Sequence, residues 1–212
     1  MALCDHHQLW TRQQRGRVQL TNESRSALSN ADESVRVGQR PGELHVFLNP
    51  CIQEHDRYGG GSVMVWGEIH SRGRNPSYHI QGTLNGLRYR DEIVRPLIIP
   101  ALQNMGTGSL LQDDNATPHR AHVVGDFLQR QQVHRLDWPS RSPDLAPIEH
   151  LWDILDRRAW SNHPAPAKVN QLLQFLQQEW LAIPQQTLMA LIESMRRRCA
   201  ECLAANGGHT RY

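Results

Sequence analysis

Apolar residues alternate with polar ones in the first half of the chain and recur at helical spacing in the second. Arg17-Val-Gln-Leu20 and Ser34-Val-Arg-Val-Gly38 follow a period of two and predict short strands. Gly59-Gly60-Gly61 predicts a break before Ser62-Val-Met-Val-Trp66, a continuous apolar run suited to a central strand. Ser77-Tyr-His-Ile80 reads as an edge strand, and Leu87 to Leu102 as a helical face interrupted by Pro96 and Pro100. Ser109–Gln112 predicts a short buried strand that delivers Asp113 and Asp114. Beyond Pro118, Val123, Val124, Phe127 and Leu128 mark a helix, and Val133–Trp138 alternates like a further strand. A Pro/Ser-rich loop at 139–147 then leads into a helix with Ile148, Leu151, Trp152 and Leu155 on its apolar face. The remainder predicts helices over 167–182 and 185–204, the second beginning after Pro184. Residues 1–16 are polar and show no core pattern, so they read as a helix tail or connector. Strands first, then alternation, then terminal helices, describe one α/β domain over 17–212 with a mixed sheet flanked by helices.

Composition narrows this picture only slightly. With 212 residues, the chain is long enough to bury a substantial core. No run of about 18 uncharged apolar residues appears, which argues against a membrane partner. Cys199 and Cys202 form one Cys-x-x-Cys pair, but no second pair at zinc-site spacing accompanies it, so reduced thiols are expected. The net charge is +2, and Lys168 is the sole lysine. A positive complement made almost entirely of arginine suits phosphate and base edges, and codon bias produces the same skew.

Candidate chemistry lies in two carboxylates. Asp114 follows a predicted strand in Asp114-Asn-Ala-Thr-Pro-His119, and Glu149 opens a helix in Ser142-Pro-Asp-Leu-Ala-Pro-Ile-Glu-His-Leu-Trp152. Magnesium and manganese take hard oxygen ligands, and two such ions about 4 Å apart support in-line displacement at phosphorus. A strand end and a helix start are rigid platforms for aiming acids at one point. Asp153 lies one turn beyond Glu149 on the same helical face. Spacing alone also permits a plainer reading, in which Asp114 ends a strand in an Asx turn and Glu149 complements a helix dipole.

Several stretches together resemble the catalytic domain of Tc/mariner-superfamily DDE transposases, on the Tc branch. They are Thr21-Asn-Glu-Ser24, Gly59–Gly67, Gln112-Asp-Asp-Asn115 with His119, Ser142–Trp152, and the terminal Gly207-Gly-His-Thr-Arg-Tyr212. Thirty-four residues separate Asp114 from Glu149, and the resemblance runs from about Trp10 to Tyr212. It implies a ribonuclease-H-like fold, Mg²⁺ or Mn²⁺ as cofactor, DNA as partner and nuclear localisation. It also implies hydrolytic cleavage of DNA followed by strand transfer, that is, DNA transposition and integration. Asp114 falls on the family's second acid and Glu149 on its third, making both the expected metal ligands. Asp113 stands where a polar residue such as Gln is usual.

The first acid is where the chain departs. The family has Asp-Glu-Ser at the end of its first strand, and this chain has Asn22-Glu23-Ser24. A neutral amide is a poor ligand between two cations, so impaired catalysis is expected. Glu23 should face the opposite side of the strand. Gly16 and Ser26 replace bulkier residues of the family, which predicts lost packing nearby. The family's N-terminal helix-turn-helix modules have no counterpart before Trp10, so specific recognition of transposon ends is not expected. His119 and His150 are candidates either to support the acids from behind or to contact DNA, and Arg120, Arg157, Arg158 and Arg196–Arg198 are candidates for DNA contact, with loop, cap or solvated-face roles as the plainer reading. The alternative function is a non-catalytic remnant that binds DNA or a full-length transposase, alone or as a homodimer.

Overall fold

The computed structural model describes residues 2–28, 61–139, 142–161 and 164–207. Among the described residues five strands form one mixed sheet in the order β3-β2-β1-β4-β5. They are β1 (Val18–Ala27), β2 (Ser62–Ile69), β3 (Tyr78–Ile80), β4 (Leu110–Gln112) and β5 (His134–Arg135). β1 runs antiparallel to β2, with Asn22 opposite Gly67, and parallel to β4, with Leu20 beside Gln112. β2 pairs antiparallel with β3, and β4 pairs parallel with β5. The mixed ribonuclease-H-like sheet expected from the sequence is present, with helices on both faces.

Side-chain alternation along the central strands divides the core in two. Val18, Leu20, Val63 and Val65 pack with Ile148, Leu151, Trp152 and Leu155 of α6 (Pro147–Ser161) and with Leu172, Leu176 and Trp180 of α7 (Val169–Ala182). Trp66, Ile80 and Leu111 point the other way. They meet Tyr89, Ile93, Val94 and Ile98, together with Val124 and Leu128 of α5 (His122–Arg130). Trp152 and Trp180 stack at 4.8 Å between ring centroids. Gly67 makes that stack possible, because a Cβ there would lie 2.5 Å from Trp180 and 2.8 Å from Trp152.

Several elements differ from the sequence expectation. β1 continues seven residues past Leu20, although Thr21–Ala27 carries little apolar character. The prolines do not interrupt the segment after Leu87. α3 (Gly86–Arg88) passes into a π-helical stretch, Tyr89–Ile98, and then into α4 (Ile99–Met105). The wider turn accepts Pro96, which lacks the N–H that an α-helix would use, and Ile99 N–H closes on Val94 C=O. The 133–138 strand contracts to His134–Arg135, and the 185–204 helix divides at Ser194 into α8 (Gln185–Glu193) and α9 (Met195–Ala204). The predicted strand at 34–38 lies outside the described residues.

Residues 1–16 are more than a connector. α1 (Ala2–His7) packs on α9, burying Cys4 with Cys199 and Cys202, all three as free thiols. α2 (Arg12–Arg15) is closed by a Thr11–Gln14 capping box and ends at Gly16. A Cβ on Gly16 would already touch Ser71, and Ser26 is buried with its hydroxyl donating to Asp156 Oδ1 at 2.7 Å. Neither position shows the packing loss expected for it. Among the described residues no helix is long and apolar enough to cross a membrane.

Candidate active site

Two parallel strands and one helix bring the predicted residues together. β1 and β4 lie side by side, and Thr21 Oγ1 donates to Gln112 C=O at 2.9 Å, tying the two strands where the site begins. β4 ends at Gln112 and releases Asp113 and Asp114. α6 packs on β1 and places Glu149 in its first turn.

On the α6 side of β1, Asn22 is buried, with 7% exposure. Its Nδ2 donates to Glu149 Oε1 at 3.0 Å, and its Oδ1 accepts from Trp152 Nε1 at 3.1 Å. An indole N–H can only donate, so Trp152 fixes which way the amide faces. The carbonyl oxygen turns to Trp152 and the NH₂ turns into the site. Burial pushes the Glu149 carboxyl up to about 7, with the charges of Asp114 and Asp153 adding to the shift and the Asn22 hydrogen bond opposing it.

On the opposite face, Glu23 meets His119. The His119 Nε2–Glu23 Oε1 distance is 3.1 Å, and His119 Nδ1 lies 2.7 Å from Asp114 Oδ1. Burial opposes charge on this imidazole, but the two carboxylates prevail and hold its pKa well above the usual histidine value. Asp114 is also buried in part, yet His119 and the Ala116 N–H keep its pKa below the usual carboxylate value. The His119 ring packs against Tyr89 in a tilted contact, with ring centroids 4.3 Å apart. Asp113 is 1% exposed, and burial raises its pKa, with Arg135 Nε 3.4 Å away.

The predicted DNA-contacting residues have varied surroundings. The His119 ring is only 1% exposed and engaged by two carboxylates, so it offers DNA no direct contact. Arg120 is exposed and donates to Asn115. Arg157 is also exposed, its Nε donating to Asp153 C=O at 3.1 Å, whereas Arg158 pairs with Glu179 at 2.8 Å. Sequence reasoning missed the part played by Glu23 and the second role of Trp152, which was expected only to fill the core. Glu23 does face away from Asn22, but it still reaches the group around Asp114. The one available signal was the presence of His119 five residues after Asp114.

Asn22 on a central strand, Asp114 at the end of its parallel neighbour and Glu149 at the start of a covering helix stand in the arrangement of a ribonuclease-H-like domain of the DDE type, with an amide at the first position. The comparisons agree. The model of the DDE superfamily endonucleases matches residues 29–172. The Tc1 transposase of Caenorhabditis elegans is 38% identical over 214 aligned positions, covering all of this chain and 76% of that protein. The Tcb1 transposase of Caenorhabditis briggsae is 38% identical over 74% of the chain and 56% of its own length. In fold, the catalytic domain of Mos1 mariner transposase superposes with a TM-score of 0.69 at 18% identity, over 98% of this chain and 92% of that one. The Mos1 paired-end complex with Mn gives 0.73 at 18% identity, over 99% of this chain and 62% of that one. The chain belongs to the DDE superfamily endonucleases, as a catalytic domain of the Tc/mariner transposase group.

A two-ion site needs an oxygen donor at the first acidic position. Asn22 presents N–H there, and Trp152 holds it in that orientation. The residues present therefore do not fit the full two-ion arrangement.

Proposed function

We propose that this chain is a transposase-derived DNA-binding domain whose metal-dependent strand cleavage and strand transfer are impaired. One observation carries the reading: the Asn22 amide turns its NH₂ toward Glu149, where the family's first carboxylate would stand. That hydrogen bond does for Glu149 what a cation would do, so the site is satisfied without one. The relatives' names as transposases support DNA as the partner, and the exposed Arg120 supplies positive charge near Asp113 and Asp114. Mg²⁺ and Mn²⁺ are the ions to test, because Mos1 structures were obtained with each. A domain acting on chromosomal DNA would work in the nucleus, which localisation of a tagged chain tests.

The deciding experiment is nicking of nonspecific duplex DNA with Mn²⁺ or Mg²⁺. The chain as it stands should cleave at least about 100-fold more slowly than its Asn22→Asp variant, the order of loss seen when one electrostatic element leaves a catalytic site. Robust nicking by the unaltered chain, abolished by Glu149→Gln, would overturn the impairment. DNA binding that ignores changes at Asp114 and Glu149, with no cleavage even in Asn22→Asp, would favour a purely binding remnant.

A further inference from the structure

Of the three consecutive arginines at the start of α9, Arg196 and Arg197 face solvent, whereas Arg198 is 1% exposed. Among the described residues it is the only arginine buried to that degree. We propose that Arg198 is a positioning residue for Glu149, acting through the turn that leads into α6 and not through contact with DNA. The inference rests on the reading of Asn22 above, because that amide is the partner against which Glu149 is placed.

The break between α8 and α9 aims the side chain. Ser194 Oγ donates to Leu191 C=O at 2.6 Å and accepts from Arg198 Nε at 3.0 Å, which fixes the guanidinium plane against its own helix. Nη1 then reaches across to donate to Asp144 C=O at 2.6 Å, 54 positions earlier in the chain. Asp144 lies in the 3₁₀ turn Pro143–Leu145, and Leu145 and Ala146 are buried in the core that α6 and α9 share. Ala146 N–H closes the turn on Pro143 C=O at 2.9 Å, and Glu149 N–H donates to Ala146 C=O at 3.2 Å in the first turn of α6. These bonds join Arg198 to the backbone of Glu149, whose Oε1 meets Asn22 Nδ2 at 3.0 Å. A charge-assisted bond is about twice as strong as a neutral one. The planar fork of arginine also holds Ser194 and Asp144 at once, which the point charge of a lysine does not reproduce.

The proton signals of the Asn22 side-chain NH₂ and the Glu149 backbone N–H, read by NMR in the folded chain, test this. Arg198→Lys should move both upfield, the direction of a weakened hydrogen bond. Ser194→Ala frees the guanidinium without removing it and should move them the same way by less. Leu203→Ala, further along α9, should lower the melting temperature and leave both signals in place. The proposal is overturned if Arg198→Lys and Ser194→Ala leave the signals where they are, or if Leu203→Ala moves them as far. Should Arg198→Lys fail to fold, Ser194→Ala decides. In the Asn22→Asp background, Arg198→Lys should lower kcat for nicking about 10- to 100-fold with KM for DNA unchanged. A raised KM at constant kcat would assign Arg198 to DNA contact instead. Nicking by the unaltered chain would sink the impairment reading, while the Glu149 N–H still reports separately on the turn.

Discussion

Asn22 and Glu23 are adjacent on β1, and the two faces they serve handle buried charge in opposite ways. On the α6 face one carboxylate, Glu149, is satisfied by a neutral amide and sits close to its protonation point at neutral pH. On the other face two carboxylates share one imidazole and hold its pKa above the usual histidine value. The pleat of a single strand separates these solutions by one residue. Loss of an acid at position 22 is therefore tolerable to the fold: the amide satisfies its partners with hydrogen bonds where a carboxylate would need a cation.

The strongest way to break this comparison is Asn22→Asp. In the presence of chelator, a second carboxylate would face Glu149 across about 3 Å with nothing between them. The variant should lose about 3 kcal/mol in urea unfolding, and Mn²⁺ should restore more stability to it than it gives the parent. Equal melts with and without metal would show that the two side chains do not face one another as described.

A smaller effect is expected from Glu149→Gln, and it depends on pH. The folded carboxyl titrates near 7 against an ordinary value of 4.5. Between those values the native state retains a proton that the unfolded chain has lost, so this group's contribution to stability falls as pH rises from 4.5 to 7. Replacing it with Gln should flatten that slope. The variant should be more stable than the parent by about 2 kcal/mol at pH 8 and near parity at pH 4. A parent stability curve without that decline would remove the assigned burial of Glu149.

Glu23→Gln should have the smallest effect, with a pH dependence of the same sign in a higher window. The raised pKa of His119 means its contribution is fully present below the ordinary histidine value, about 6.5, and is lost as pH climbs through the folded value. The Gln side chain keeps an acceptor but loses the charge. The cost should be about 1 kcal/mol at pH 6 and less at pH 9. A cost that grows with pH would mean that His119 is neutral between its two carboxylates.

How far the sequence could be read varied with the range of the interactions. β2, the apolar face of α6 and the extent of α7 followed directly from local pattern, because their partners are apolar surfaces of no particular identity. By periodicity β1 was legible only to Leu20, and the family resemblance alone carried it on to Asn22-Glu23-Ser24. Asn22 and Ser26 look like loop residues until Glu149, Trp152 and Asp156 arrive from more than a hundred positions away. The burial of Cys4 was hidden for the same reason, since its cover is the distant α9. Pro96 and Pro100 read as interruptions of a helical face, and only the structure showed that a π-helical stretch carries the helix through Pro96.

By itself, the sequence determined the family, the mixed sheet and the amide at the first acidic position, because motif order and side-chain period are properties of the chain alone. The tertiary structure decided which atom of that amide enters the site, because only Trp152, a donor held against Trp180 and Gly67, makes the two ends of Asn22 inequivalent. It also decided that Glu23 stays within the site, through His119. Orientation and pairing depend on neighbours brought together in space, and no local pattern in the chain records them.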